Sequence, residues 1–240
     1  MLKLKNWLIS ILGIAFAFCA SLSYVWALPQ KISESQDLDK KVGDFLESHR
    51  YQWHDENITA ADGKVLYDLI LKHRYTKAVE IGTSTGHSGI WIAWALSKTG
   101  GKLVTIEIDE ERHNKALENF KAAGLSDFID ARLGDAHELV PELSGPYDFV
   151  FMDADKYWYT NYLKLLLPKI EVGGCFTAHN VGNLEHMGGI KEFLDYARSL
   201  PELETTIDHS SRSGISISYK RAKHIQFPLY PPFIKRGENR

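Results

Sequence analysis

The sequence predicts an α/β domain: a mostly parallel sheet of seven strands with helices on both faces, closed by a final antiparallel hairpin. Three observations predict it. Short apolar runs of β character alternate with stretches of helical periodicity, and such alternation folds into a parallel sheet covered on both faces. The last two β-type runs share residues 204–220, with a turn near Ser213-Gly214, the pattern of a hairpin. The chain has 240 residues, 44% hydrophobic and 25% charged, enough for one large domain of ordinary globular composition.

Residues 36–50 and 59–74 have helical spacing. Thr59-Ala60-Ala61-Asp62 opens the second helix like a capping box, with Asp62 in place of the usual Glu. Val65, Leu66, Leu69 and Ile70 then fall on one face. Residues 77–81 are a short β run, 86–97 a helix and 102–108 a strand. The helix over 110–124 stops at Gly124, a residue suited to a left-handed cap. A strand and turn follow over 128–136, a strongly apolar strand over 147–154 and a helix over 159–170 that closes near Pro168. Residues 173–181 are a further strand, and 188–200 the last helix.

The net charge of −3 lacks the basic excess usual in a nucleic-acid binder. No repeat or low-complexity block interrupts the chain. Residues 1–27 stand apart: Lys3 and Lys5 precede a stretch from Trp7 to Ala27 without a charge, and Val25-Trp26-Ala27 ends on a small residue. This reads as an export signal cleaved after Ala27 or, because the uncharged run is long, as an anchor giving membrane association. An anchor preceded by lysines places the domain across the membrane. Cys19 leaves with a cleaved leader, so Cys175 forms no intrachain disulfide. The chain divides into the leader 1–27, a helical segment 28–58, the sheet domain 59–220 and a proline-containing tail 221–240.

Ligands of parallel sheets bind beyond the carboxyl ends of the strands, where the strand order switches. Those ends carry Glu80 to Gly86, Glu107, Asp135, Asp153 to Lys156 and His179-Asn180. The turn Glu80-Ile81-Gly82-Thr83-Ser84-Thr85-Gly86 puts Ser84 where a dinucleotide turn needs its second glycine, which disfavours an NAD-dependent oxidoreductase. His87-Ser88 does not match the Lys-Ser/Thr ending of a Walker loop. Glu80 repels a phosphate and suits a cationic amino-acid group. Glu107, closing the next strand, suits the two hydroxyls of a ribose.

The blocks VEIGTSTGHSG, LVTIEIDEE, DARLGDAHE, YDFVFMDADKYWYTNY and VGGCFTAHNV, in this order and spacing, resemble the cation-dependent O-methyltransferases. These are class I S-adenosylmethionine (SAM)-dependent enzymes that include the catechol and caffeoyl-CoA O-methyltransferases. The resemblance covers about residues 35–220. It implies a Rossmann-like domain, a homodimer, and transfer of a methyl group from SAM to a hydroxyl of a small, catechol-like acceptor. It places Glu80 and Gly82 at the methionine part of the cofactor, Ser88 at its carboxylate, Glu107 at the ribose, and Asp135 and Ala136 beside the adenine. Asp153 borders the cofactor and is the first ligand of a divalent cation, Asn180 is another ligand, and Lys156 is the general base. Where the family carries an Asp before that Asn, this sequence has His179.

Methyl transfer from a sulfonium is an in-line displacement that needs alignment and the exclusion of water. The acceptor hydroxyl, with a phenol's pKa near 10, must also lose its proton. A chelated cation and a nearby lysine each assist that loss. Asp153, Asp155, Lys156 and Asn180 are the residue types that suit Mg²⁺. His179 leaves three readings open: a nitrogen ligand for a borderline transition metal, the base itself, or a structural histidine at a strand end. A non-catalytic SAM-binding module with a decayed metal site is a further alternative. Lys156 also reads as a solvated lysine, and Asp155 as a helix N-cap. Trp53, Tyr157, Trp158 and Tyr159 either stack on an aromatic acceptor or pack in the core. A SAM enzyme is expected in the cytoplasm while the leader points outward, so the address stays open.

Overall fold

The computed structural model describes residues 35–182 and 188–222. The readings made for residues 1–27 and for the tail beyond residue 222 lie outside the described residues. Among the described residues no helix is long and apolar enough to cross a membrane.

A helix α1 over 35–48 leads to α2 (Ala60–His73), β1 (Lys77–Ile81), α3 (His87–Thr99), β2 (Lys102–Glu107) and α4 (Glu110–Ala123). Then come β3 (Ile129–Leu133), α5 (Ala136–Glu142), β4 (Tyr147–Met152), α6 (Tyr159–Leu166), β5 (Ile170–His179), α7 (Ile190–Ser199), β6 (Leu203–Asp208) and β7 (Ile215–Lys220). The seven strands form one sheet in the order β3-β2-β1-β4-β5-β7-β6. Strands β1 to β5 run parallel, and β7 lies antiparallel between β5 and β6. The expected class is therefore the observed one, with the hairpin at one edge.

Successive strand residues face opposite sides, and both sides are buried. Val79, Ile81, Ile106, Val150, Met152, Phe176 and Ala178 pack against Tyr159, Tyr162 and Leu163 of α6 and Phe193 and Leu194 of α7. Ala78, Leu103, Phe149, Phe151 and Cys175 pack on the other side against Leu66 and Ile70 of α2 and Ile92 and Leu96 of α3. The register aligns Ile81 with Ile106 and Met152, and Met152 with Ala178. Alternation then sends Glu80, Glu107, Asp153 and His179 to the α2–α3 side, with the last three in a row at the carboxyl ends. The order reverses between β1 and β4, so the loops after these two strands diverge and leave a crevice.

The helix boundaries differ from the sequence reading by a residue or two. The helix expected over 159–170 is α helix only to Leu166, and a 3-10 turn over Leu167–Lys169 carries Pro168. The segment after 128–136 is not only a turn: α5 fills Ala136–Glu142 with Pro141 inside it. Its existence rests on a cap, Asp135 Oδ1 accepting from His137 N at 2.8 Å. Seven residues are too few to show a helical period, and proline argues against one.

Candidate functional site at the strand ends

The glycine turn is shaped by close backbone packing. Gly82 has φ +93°, and a Cβ there would lie 2.2 Å from the Asp153 carbonyl oxygen, so only glycine lets the ends of β1 and β4 meet. Gly86, φ +96°, is the N-cap of α3 and offers no capping side chain; His87 N donates instead to Asn57 Oδ1 at 3.4 Å. Ser84 adopts φ +48° and donates its N–H to Glu107 Oε2 at 2.7 Å. Beneath the first turn of α3 lies Glu80, fully buried. Its Oε2 accepts from Thr105 Oγ1 at 2.6 Å, while Oε1 has no donor. Burial pushes the Glu80 carboxyl up to about 7; the Ser88 and Thr105 hydroxyls oppose this, and the charges of Asp153 and Glu107 add to it.

Glu107 is held from three sides. Besides Ser84 N, the N–H groups of Ile108 and Asp109 donate to Oε1, each at 3.0 Å. The carboxylate is thus oriented before any ligand arrives. A cavity of about 280 Å³ opens beside it, lined by Gly82, Glu107, Asp135, Ala136, Asp153 and Lys156 among others. A larger depression of about 850 Å³ over the start of α4 is bordered mostly by charged residues.

The loop before α2 covers the turn. Ser84 Oγ donates to Asp55 O, Asn57 Nδ2 donates to Thr85 Oγ1 at 2.8 Å, and Arg112 bonds both oxygens of Asp55. Asp55 and Glu56 both take left-handed φ, +66° and +65°, a conformation non-glycine residues hold only where neighbours impose it. Trp53 stacks on His87 with ring centroids 4.3 Å apart. His87 Nε2 accepts from Trp91 Nε1 at 3.1 Å, so its Nδ1 carries the hydrogen and donates to Ile58 O at 2.9 Å. Burial pulls the His87 pKa down to about 4, against the Ile58 carbonyl and the charge of Asp62. This neutral histidine ties the covering loop to α3.

At the other end of the cavity a charged chain crosses the β4 and β5 termini. Lys156 Nζ donates to Asp153 Oδ1 at 2.7 Å and to Ala154 O at 3.1 Å. His179 Nδ1 donates to Asp153 Oδ2 at 2.9 Å, and its Nε2 lies 3.3 Å from Asp62 Oδ2, off the line of a hydrogen bond. Asp62 is fixed in turn: Thr59 N and Oγ1 donate to Oδ2, and Ser211 Oγ to Oδ1. Burial alone would lower the His179 pKa, but Asp153 and Asp62 outweigh it and raise it to about 9. Burial works against ionisation of Asp153 too, yet His179 and Lys156 hold it below the usual carboxylate range. Asp62, against its own burial, is brought to about 2 by His179, Ser211 and Thr59.

SAM fits this site. The buried Glu80 Oε1 is an acceptor without a donor, Gly82 keeps the turn free of side chain, and Glu107 presents an oriented carboxylate to a ribose. A divalent cation does not fit the residues as placed. Both nitrogens of His179 face carboxylates, and both oxygens of Asp153 are engaged. Among the described residues no group of three or more His, Cys, Asp or Glu is arranged to hold a metal.

Gly82, Glu107, Asp135, Ala136, Asp153 and Lys156 thus share one cavity. Ser88, expected at the cofactor's carboxylate, is buried in the first turn of α3 and is not among the residues lining the cavity. Asn180 follows His179 with left-handed φ +63°. Asp155 caps the short turn that begins at Lys156, accepting from Tyr157 N at 3.0 Å. Asp62 escaped the sequence reading as a site residue because its capping role accounted for it; the clue was a short Asp where a capping box prefers Glu. Tyr159 is fully buried and Tyr157 75% exposed, so only the latter is free to meet an acceptor.

Comparison with known proteins bears on the family and the fold. A family model described as O-methyltransferase matches residues 33–197. The catechol O-methyltransferase of Niastella koreensis is 36% identical over 129 residues, 52% of this chain and 58% of that protein. Caffeoyl-CoA O-methyltransferase 1 of Eucalyptus globulus is 34% identical over 136 residues, 55% of each. The chain spans a little over half the length of these curated relatives. Among solved structures, an O-methyltransferase from Bacillus cereus in complex with S-adenosylhomocysteine (SAH) superposes with a TM-score of 0.65 at 24% identity, over 76% of this chain and 91% of that one. TomG from Streptomyces achromogenes, in complex with SAM, gives 0.64 at 24% identity, over 76% and 90%. At that identity the likeness establishes the Rossmann-like fold. The family model covers more than half of the sequence, and the chain belongs to the O-methyltransferase family.

Proposed function

We propose that this chain transfers a methyl group from SAM to a hydroxyl of a small aromatic acceptor, catechol-like as the names of its curated relatives suggest. The observation that carries the reading is the buried Glu80 oxygen without a donor, next in sequence to Ile81 and Gly82, which line the cavity that joins Glu107 to Lys156. Bound SAM supplies an electrophilic methyl on a positively charged sulfur. Glu80 receives the ammonium of its amino-acid part, and the ion pair so formed relieves the cost of burying a carboxylate. Glu107 takes the ribose hydroxyls, and Asp135 and Ala136 border the adenine. The covering loop and the walls of the crevice keep water from the reacting oxygen. Lys156, which pairs with Asp153 at 2.7 Å as an ammonium in the resting site, acts as base after giving up one proton to solvent: the neutral Nζ takes the acceptor's proton and the ion pair re-forms.

Calorimetric titration with SAM, SAH and NAD, followed by SAH release with catechol as acceptor, tests the reading. SAM and SAH are expected to bind and NAD not to, with SAH released on turnover. Failure of both SAM and SAH to bind refutes it. We also infer from the sequence that residues 1–27 lead the chain to a membrane, as signal or anchor, and from the family resemblance that two copies pair. N-terminal sequencing of the purified protein and light scattering check these.

A further inference from the structure

His179 sits between two carboxylates contributed by different elements. Asp153 follows β4, and Asp62 lies in the first turn of α2. The ring is 4% exposed, with Nδ1 2.9 Å from Asp153 Oδ2 and Nε2 3.3 Å from Asp62 Oδ2. An ionised carboxylate accepts hydrogen bonds and cannot donate one, so Nδ1 carries a hydrogen; Nε2 makes no in-line hydrogen bond but faces the Asp62 carboxylate, and a ring set between two carboxylates is favoured as the imidazolium. A nitrogen that carries hydrogen has no lone pair for a metal. Each Asp153 oxygen already accepts from a basic side chain, His179 at Oδ2 and Lys156 at Oδ1, so a divalent ion on Asp153 would sit against both groups. Asp62 is not free to swing toward a metal, being pinned by Thr59 and by Ser211 from the loop between β6 and β7. Two positive groups, Lys156 and His179, thus already neutralise the carboxylates at the acceptor end of the cavity.

We propose that His179 is the resident cation of this site, a fixed imidazolium held by Asp153 and Asp62 in place of a divalent metal, and that the chain needs no such metal for transfer. The proposal rests on the methyl-transfer reading above for its consequence, but not for its geometry. His179 and Asp62 act here as positioning residues: they fix Asp153, and through it Lys156, at the acceptor oxygen. Entry of a divalent ion would require the ring to leave and two buried carboxylates to lose their partner, and a charge pair broken in that way is costly.

The test is Mn²⁺ binding to the full chain with SAH present, read from the electron paramagnetic resonance signal of the free ion. The wild type is expected to leave that signal unchanged up to millimolar Mn²⁺. His179→Asp, which restores a carboxylate beside Asp153 and Asn180, is expected to take up one equivalent, at least tenfold more tightly than the wild type. Uptake of one equivalent by the wild type, abolished by Asp153→Asn, overturns the proposal. Absence of uptake by a His179→Asp protein that melts as cooperatively as the wild type also overturns it. The wild-type arm decides by itself if the variant does not fold. As a second readout, SAH release with catechol is expected to stay within twofold after treatment with a chelator. A tenfold loss restored by Mg²⁺ overturns the proposal. Failure of SAM binding in calorimetry instead refutes the methyl-transfer reading and leaves the Mn²⁺ result standing.

Discussion

Replacing Glu80 by glutamine should make the unliganded protein less sensitive to alkaline pH while disabling it. The carboxyl is fully buried, and its pKa is raised from 4.5 to about 7, chiefly by burial. A carboxyl raised in the fold binds more protons there than in the unfolded chain. Its contribution is therefore fully present below pH 4.5 and is lost as pH rises through 7. Between pH 5 and pH 8 the wild type should lose roughly 2–3 kcal/mol through this one group, a loss Glu80→Gln does not share. The new amide nitrogen meets no acceptor where Oε1 had no donor, which costs about 1–2 kcal/mol. That cost does not depend on pH, so the difference in slope between the two proteins isolates the charge. Urea unfolding at the two pH values measures it. Ligand should reverse the ranking. SAH at a hundredfold excess over its dissociation constant adds about 2.7 kcal/mol to a protein that binds it, and the variant should gain well under half of that. Parallel pH slopes for the two proteins, or an equal gain from SAH, would show that Glu80 is neither the strained acid nor the ammonium partner described here.

Three other outcomes are expected. Lys156→Met should bind SAH as the wild type does but lose about 100-fold or more in turnover, the usual weight of a general base; turnover within tenfold of wild type removes Lys156 from that role. Gly82→Ala should cost about 1–2 kcal/mol from its positive φ alone, and more because its Cβ meets the Asp153 carbonyl at 2.2 Å. Melting temperature and SAH affinity should therefore fall together, and an unchanged affinity would detach the turn from the cofactor. His179, raised from 6.5 to about 9 by its two carboxylates against its burial, contributes stability that is fully present below pH 6.5 and lost as pH rises through 9. Unfolding at pH 7 and pH 10 should show that loss in the wild type and not in His179→Gln.

What the sequence determined by itself was local. Alternating strand and helix patterns define the sheet and its hairpin because a period of two or of 3.6 is written in neighbouring residues. The glycines of the turn could be read for a similar reason, since a positive φ is a property of one residue. The short helix α5 could not: it depends on one cap and on packing behind it, and its seven residues hold no period. Only the tertiary structure decided the partners of the charged groups. His179 was legible as an anomaly beside Asn180, but its role turns on Asp62, which lies on α2 and reads in sequence as a helix cap. Alternation along β4 and β5 sends Asp153 and His179 to the side covered by α2, and that face-sharing brings Asp62 within 3.3 Å of the ring. Register between distant strands, and the choice a buried histidine makes between two carboxylates, are settled by packing. No spacing along the chain encodes either one.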